Sequence, residues 1–206
     1  MLDVLRSIQE QSPERNFHEG THILYDLRSF LGQRQAKYLE IGSYTGNSAS
    51  LMLRHPYPTS VVAVDPCVLD QSHYGGTLSQ KDTIEAALSR NSPRDKTNGN
   101  SWELKVGPSP DAIPKDSFFD IIFIDGDHSS LAVQNDYNAT IKLLRPGGFM
   151  VFDDYLDKAH SPEVRGAVDE IARSTELRDI GLPRNYHGAI GFGSKMGVYI
   201  FQNRVY

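Results

Sequence analysis

Tyr38-Leu39-Glu40-Ile41-Gly42-Ser43-Tyr44-Thr45-Gly46-Asn47-Ser48 is the stretch from which the fold follows. A short apolar run closes on an acid and two spaced glycines, and a helical pattern opens directly after them, as at a strand-to-helix turn of an open α/β sheet. Ligands settle over such turns because glycines let backbone amides come close and the helix N-terminus offers positive potential. The next apolar run, VVAVD (61 to 65), ends on Asp65, placed to accept from ribose hydroxyls. That position suits a nicotinamide dinucleotide or another adenosine-bearing cofactor. The glycine spacing separates the two. A dinucleotide fingerprint, G-x-G-x-x-G, needs glycine where this chain has Tyr44, and a tyrosine there obstructs a pyrophosphate. Glu40, just before the turn, suits a cofactor end that carries an ammonium group better than one that carries phosphates.

Outward from this turn, strand-length apolar runs alternate with helical patterns, the signature of a parallel sheet wrapped by helices. KYLEI (37 to 41), VVAVD (61 to 65), SWELKV (101 to 106), FDIIFID (119 to 125) and GFMVFDD (148 to 154) read as five strands. The fourth shows no polar alternation over IIFI and belongs in the middle of the sheet, covered on both faces. The first helix is expected from Gly46 to Pro56. Another carries Val133, Tyr137, Ile141 and Leu144 at helical spacing and stops at Pro146-Gly147-Gly148. A third opens with Ser161 as N-cap and Pro162 in its first turn, burying Val164, Val168 and Ile171. TELRDIGL (175 to 182) and MGVYIFQ (196 to 202) follow with no helix between them, which predicts an antiparallel terminal hairpin. Before the first strand, Ile23, Leu24, Leu27, Phe30 and Leu31 fall on one helical face that ends at Gly32, and Leu2, Leu5 and Ile8 mark a further helix or arm. Turn-forming residues concentrate in 66 to 76 and 91 to 101.

Composition narrows the function classes. The chain has 206 residues, 39% of them hydrophobic and 23% charged, enough for one domain with a real core and too apolar for disorder as the main state. No run approaches the roughly 18 to 20 apolar residues of a membrane span, and the N-terminus lacks the apolar centre of a signal peptide. Cys67 is the single cysteine, so neither an internal disulfide nor a cysteine metal site can form, and the cytosol is the expected compartment. A formal net charge of −5 speaks against a surface that grips nucleic acid. A small-molecule site remains.

The string Y-L-E-I-G-S-Y-T-G-N-S resembles the first motif of class I S-adenosylmethionine-dependent methyltransferases, in the form found in the metal-dependent O-methyltransferases of the catechol and caffeoyl-coenzyme A group. F-F-D-I-I-F-I-D-G-D-H-S, followed by L-L-R-P-G-G-F-M-V-F-D-D-Y, is similar to the small-molecule enzymes grouped as methyltransferase family 24. The likeness runs from about residue 19 to 202. It implies a Rossmann-like, doubly wound α/β sheet of seven strands in the order 3-2-1-4-5-7-6, the last strand antiparallel. The whole chain, 1–206, would then be one methyltransferase domain, with 1–33 as an N-terminal helical cap and 34–206 as the core. Residue by residue, the resemblance implies that Glu40, Gly42, Tyr44, Gly46 and Ser48 hold the methionyl part of S-adenosylmethionine and Asp65 its ribose. Gly107, Pro108 and Ser109 would border the adenine, with Asp125 and Asp127 near the sulfonium end. Cys67 is expected to be a half-buried loop thiol with no role.

Asp125, Asp127, Asp153 and Asp154 fall at the carboxyl ends of two strands that this topology makes neighbours. Four acids there repel one another unless a cation or a shared proton offsets them, and oxygen ligands favour Mg2+, Mn2+ or Ca2+ over zinc. The resemblance implies Asp125, Asp153 and Asp154 as the metal ligands. Catechol-type enzymes place a lysine near the acceptor hydroxyl; this chain has His128, a general base by its ordinary pKa of about 6.5. Without that lysine, and with Asp154 where asparagine is usual, a phenolic acceptor is not implied. The plain alternatives are that Asp153 and Asp154 cap the following loop and that His128 makes a supporting hydrogen bond. His18, His73 and His187 lie in segments that could roof a pocket, whereas His22, His55 and His160 read as surface or structural. The acceptor is expected to be enclosed by His18-Glu19-Gly20, the loop with Tyr74, and 183 to 194, whose Tyr186, His187 and Phe192 suit either a mobile flap or a homodimer contact. The reading is metal-assisted O-methylation of a small hydroxylated metabolite. Its alternatives are N-methylation, a related hydroxylase, a catalytically silent cofactor-binding partner subunit or, more weakly, a nicotinamide-dependent oxidoreductase.

Overall fold

Phe119–Ile124, every residue of it buried, is the strand around which the protein is built (β4). In the computed structural model, which describes residues 2–11, 21–92, 99–181 and 197–204, it lies mid-sheet as its uninterrupted apolar pattern predicts. The other strands are β1 (Ala36–Ile41), β2 (Thr59–Asp65), β3 (Ser101–Val106), β5 (Leu144–Phe152), β6 (Arg178–Gly181) and β7 (Tyr199–Gln202), and the sheet order is β3-β2-β1-β4-β5-β7-β6. β1 to β5 pair in parallel, and β7 runs antiparallel to both β5 and β6. This is the predicted seven-stranded Rossmann-like topology.

The helices are α1 (Leu2–Gln11), α2 (Thr21–Phe30), α3 (Asn47–Leu53), α4 (Gln80–Asn91), α5 (Ser130–Thr140) and α6 (Val164–Ser174). One core lies against α5 and α6 and joins Leu39, Ile122, Phe152, Val133 and Val168. The other lies against α2, α3 and α4 and joins Tyr38, Phe123, Val151, Leu24 and Ile84. Successive β4 side chains enter opposite cores, and each large apolar one contributes about 1.5–3 kcal/mol by leaving water. Ile8 of α1 packs on Leu51.

Three local expectations are corrected. The helix placed before Pro146 ends as α5 at Thr140, a 3-10 turn follows, and Leu144 already begins β5. Arg145-Pro146-Gly147-Gly148 enters the strand through a shift of register rather than ending a helix. Phe30, placed on the buried face of α2, is 73% exposed and meets Phe149 edge-on. Ser161 does not cap α6, whose N-cap is Glu163.

Two charged groups secure the sheet end remote from the glycine turn. Arg28 is fully buried, bonding Thr59 Oγ1 (2.8 Å) and the carbonyls of Gly32 (2.9 Å), Arg34 (2.8 Å) and Pro58 (2.7 Å), so α2 is tied to the start of β2. Asp120 accepts from Lys37 N and Arg145, and pairs with Arg34. Buried charges persist when hydrogen-bonded in this way.

Candidate active site

At the other end, Gly42 turns the chain away from β1 at φ +82°, and a side chain there would strike the carbonyl oxygen of Asp125 at 1.9 Å. Only glycine serves where the backbone must be left-handed and touch a second strand. Tyr44 is also left-handed, at φ 50°, and Gly46 at φ 80° is the N-cap of α3. Asp65 holds this turn together. Its Oδ2 accepts from Ser43 N and Tyr44 N, both at 2.9 Å, and its Oδ1 from Cys67 N at 2.7 Å. One acceptor position on Oδ1 is not taken by these bonds. Gln80, which the sequence did not single out, is buried and joins two loops, accepting from Leu69 N and donating to Tyr44 O.

Glu40 is fully buried on β1. Its Oε2 accepts a 2.6 Å bond from the Tyr38 hydroxyl, while Oε1 has no hydrogen-bond partner. Burial pushes its carboxyl up to about 7, against the easing effect of the Tyr38, Ser48 and Ser43 hydroxyls.

Asp125 follows β4, and Asp153 and Asp154 follow β5. Burial, reinforced by the charges of Asp153, Asp154 and Glu40, lifts the Asp125 carboxyl well above the usual range. Asp154 stands at a left-handed φ of 57°; its Oδ2 accepts from Ser161 Oγ at 2.7 Å, and its buried Oδ1 has no hydrogen-bond partner. Ser161 Oγ also lies 2.7 Å from His128 Nδ1. The serine has one proton and gives it to the carboxylate, so Nδ1 donates to the serine oxygen. Nε2 faces Asp154 Oδ2 at 3.4 Å and Asp125 Oδ1 at 3.7 Å. Among the described residues, Asp125, His128 and Asp154 bring three ligand atoms within 4.8 Å of one another. Asp153 is buried but stands outside this trio. Asp127 is exposed and accepts from Ser129 N, which holds its carboxyl below the ordinary range.

A cavity of about 640 Å³ is lined by Gly42, Tyr44, Asp65, Pro108 and Ser109 on one part of its wall and by Asp125, Asp127 and His128 on another. Glu40, Gly46, Ser48 and Gly107 are not on the wall; Gly107 N donates to Asp65 O, closing the loop after β3.

A family model described as a methyltransferase domain matches residues 39–155, from β1 to just past Asp154. The chain belongs to this family. Its class of chemistry, S-adenosylmethionine-dependent methyl transfer, comes with that membership. The methyltransferase is 34% identical over 165 residues to an uncharacterised protein, R132, of Acanthamoeba polyphaga mimivirus, covering 80% of this chain and 72% of the viral one. Its fold is similar to that of an O-methyltransferase from Bacillus cereus in complex with SAH, with a TM-score of 0.66 at 18% identity, covering 98% and 91% of the two chains. It is also similar to that of the N-methyltransferase NodS from Bradyrhizobium japonicum, with a TM-score of 0.58 at 16% identity, covering 91% and 96%.

Two expected neighbours of the methyltransferase site, Tyr74 and His73, lie elsewhere, while Cys67 and His55 are placed as expected. Tyr74 is buried beneath its own loop, its hydroxyl bonded to Leu78 O, and does not line the cavity; His73 is exposed, and its carbonyl accepts from Tyr44 Oη. Cys67 is half-buried, and burial with the adjacent Asp65 pushes its thiol up to about 12, so it is inert. His55 is stacked on Tyr25 and Tyr57 and bonded to Ser29, a structural role. His18-Glu19-Gly20 and 183 to 194 lie outside the described residues.

Proposed function

We propose that the methyltransferase is a cytosolic O-methyltransferase of a small hydroxylated metabolite, and that Asp125, Asp154 and His128 hold a divalent cation beside the transferred methyl group. The convergence of two carboxylates and an imidazole nitrogen, with the buried Oδ1 of Asp154 lacking a hydrogen-bond partner, carries this reading. The donors fit Mg2+ or Mn2+, whose preference is for oxygen with an occasional imidazole. When bound, S-adenosylmethionine supplies an electrophilic methyl on a positive sulfur, and the cation supplies charge that favours an ionised acceptor oxygen.

The chain's own residues do the rest. Gly42 and Tyr44 shape the wall on which the cofactor lies, Asp65 takes a ribose hydroxyl through Oδ1, and Glu40, buried two residues before Gly42 and off the wall, draws the ammonium group to this end of the cavity by its charge. His128 is held by Ser161 with Nε2 turned inward, where it would be the cation's third ligand; with that lone pair committed, loss of the acceptor's proton would be favoured by the cation's charge rather than by the imidazole. The absence among the described residues of any helix long and apolar enough to cross a membrane, together with the single cysteine, supports the assignment to the cytosol. A small-molecule acceptor, with neither nucleic acid nor membrane as partner, accords with the acidic charge.

Methyl transfer from labelled cofactor to a panel of hydroxylated and amine acceptors tests the reading. Activity on a hydroxylated compound that is lost in EDTA and restored by Mg2+ or Mn2+ is the expected result; activity indifferent to both removes the cation, and exclusive amine methylation removes the oxygen acceptor. Binding of S-adenosylhomocysteine should also depend on pH. Glu40 must be ionised to pair with the ammonium group, and its carboxyl sits at about 7 in the free protein, so affinity rises with pH through that value. Calorimetry should show about tenfold weaker binding at pH 6 than at pH 8. Glu40→Gln should bind weakly with a flat profile; a flat wild-type profile would dissociate Glu40 from the ammonium group.

A further inference from the structure

Ser161 stands between β5 and α6, off the cavity wall, and is only 1% exposed. The loop that carries it folds around a second buried acid. Asp157 N donates to Asp154 O at 3.0 Å, Asp157 O accepts from Ser161 N at 3.2 Å, and the Asp157 carboxylate accepts from Ala159 N at 2.9 Å and His160 N at 3.1 Å. The chain is thereby brought back onto Asp154, and the Ser161 hydroxyl meets two of the three groups given above to the cation. With one proton it serves them in one way, Nδ1–H of His128 to Oγ and Oγ–H to Oδ2 of Asp154, each at 2.7 Å. The other oxygen of Asp154, buried and without a hydrogen-bond partner, is left for an ion. The His128 side chain is 37% exposed, so packing alone does not fix the ring, and among the described residues Ser161 is its one hydrogen-bond partner within 3 Å.

We propose that Ser161 is a positioning residue that decides which cation the site takes: by holding His128 with Nδ1 protonated and Nε2 turned towards Asp125 and Asp154, it gives Mn2+, as a first-row transition ion, a preference over Mg2+. This rests on the cation reading given above. A ring pinned at Nδ1 has one orientation and a more basic Nε2, the service that outer hydrogen-bond partners give to metal-bound histidines in general. The nitrogen then discriminates between ions. Imidazole suits first-row transition ions, whereas Mg2+ keeps to oxygen and gives up its water reluctantly. Asp125 and Asp154 offer oxygen to either ion, so carboxylates alone would separate them less. Without the hydroxyl the ring could turn to solvent, and the Asp154 oxygen it supports would lose its donor as well. One buried proton donor thus orders a nitrogen and a carboxylate ligand together.

The experiment measures Mn2+ and Mg2+ binding to the wild type, Ser161→Ala and His128→Gln by calorimetry, with circular dichroism as the check on folding and pulsed EPR of bound Mn2+ to detect a coordinated nitrogen. The wild type should favour Mn2+ by about 30-fold or more and show nitrogen coupling that is absent from His128→Gln. Ser161→Ala should lose about 10-fold to 100-fold in Mn2+ affinity but less than about threefold in Mg2+ affinity, with the nitrogen coupling weakened or lost. A merely structural serine would weaken both ions alike, and that result overturns the proposal. Should Ser161→Ala fail to fold, nitrogen NMR of the wild type at pH 8 decides: His128 as the Nδ1–H tautomer is expected, and the Nε2–H tautomer overturns it. Bound Mn2+ without nitrogen coupling in the wild type, or an unchanged ratio of the two affinities in folded Ser161→Ala, overturns the role of Ser161 while leaving the cation in place. A wild type that binds neither ion overturns the cation reading with it.

Discussion

Gly42→Ala should unfold at far lower denaturant than the wild type and show no binding of S-adenosylhomocysteine. The added Cβ would lie 1.9 Å from the carbonyl oxygen of Asp125, 2.6 Å from its carbonyl carbon and 2.7 Å from Gly126 Cα, and the residue's φ of +82° is itself unfavourable for alanine. All three atoms are backbone, so no side chain can rotate away. Relief would require β1 and β4 to part, yet Asp125 N is bonded to Ile41 O at 2.9 Å, and Gly42 N, bonded to Val64 O at 2.9 Å, ties the turn to β2 on the other side. A loss of at least about 4 kcal/mol is expected, in the range that marks a backbone clash or strained dihedral rather than a lost contact. Gly166→Ala is the matched control, for nothing lies within 4 Å of its Cβ and it sits inside α6; there the change should stabilise by about 0.5–1 kcal/mol. Urea titration of the two variants decides. A wild-type midpoint for Gly42→Ala would show that the turn is not the rigid platform described.

Asp125→Asn should have the opposite signature, a protein more stable than wild type and nearly inactive. In the free protein the Asp125 carboxyl is held well above its ordinary range by burial and by the charges of Asp153 and Asp154. A raised folded value in an acid means that the native state binds its proton more tightly than the unfolded chain does. Stability from this group is therefore greatest in acid and is lost as pH rises from the ordinary carboxylate range through the raised value. Asparagine removes the charge and with it the loss, so the variant's melting temperature should exceed the wild type's at pH 8, with the gap closing towards pH 4. Added Mg2+ or Mn2+ should raise the melting temperature of the wild type and leave that of the variant unchanged. Turnover should fall about 10²–10⁴-fold, the usual effect of removing a group that handles a proton or the charge beside it. An active Asp125→Asn, or one that gains as much stability from the cation as the wild type, would place the cation and the chemistry elsewhere.

The parts of the molecule legible in the sequence were those governed by a local period. β4 reads as a central strand because FDIIFI has no polar alternation, and the turn at Gly42 reads as a ligand platform because glycines punctuate it at the end of a strand. Ser161 was misread because the preference for serine as a helix N-cap is local, whereas its partners, Asp154 and His128, reach it through tertiary structure. The same blindness applied to the choice among the acids: consecutive Asp153 and Asp154 look alike in sequence, and only the left-handed backbone at 154 turns one of them towards His128. Asp136, buried on α5, was not singled out in the sequence. Its spacing from Val133 and Thr140 was a usable signal, since it places a carboxylate on the apolar side of α5. Phe30 failed in the other sense, for it has the right helical phase but stands at the last residue of α2, where it touches the core only edge-on at Phe149 and is otherwise exposed.

The left-handed backbone at Asp154 limits what that position can become. At a φ of 57° most side chains crowd their own carbonyl, while glycine, asparagine and aspartate settle there readily. Of these three, two offer an oxygen and one brings a charge. A lineage of such proteins could therefore exchange aspartate for asparagine at 154 with the loop intact, changing by one unit the negative charge facing His128, whereas glutamate would incur a backbone penalty. The acidity of the site is thus adjustable in a single step, and the loop that permits it also narrows the choice to two settings.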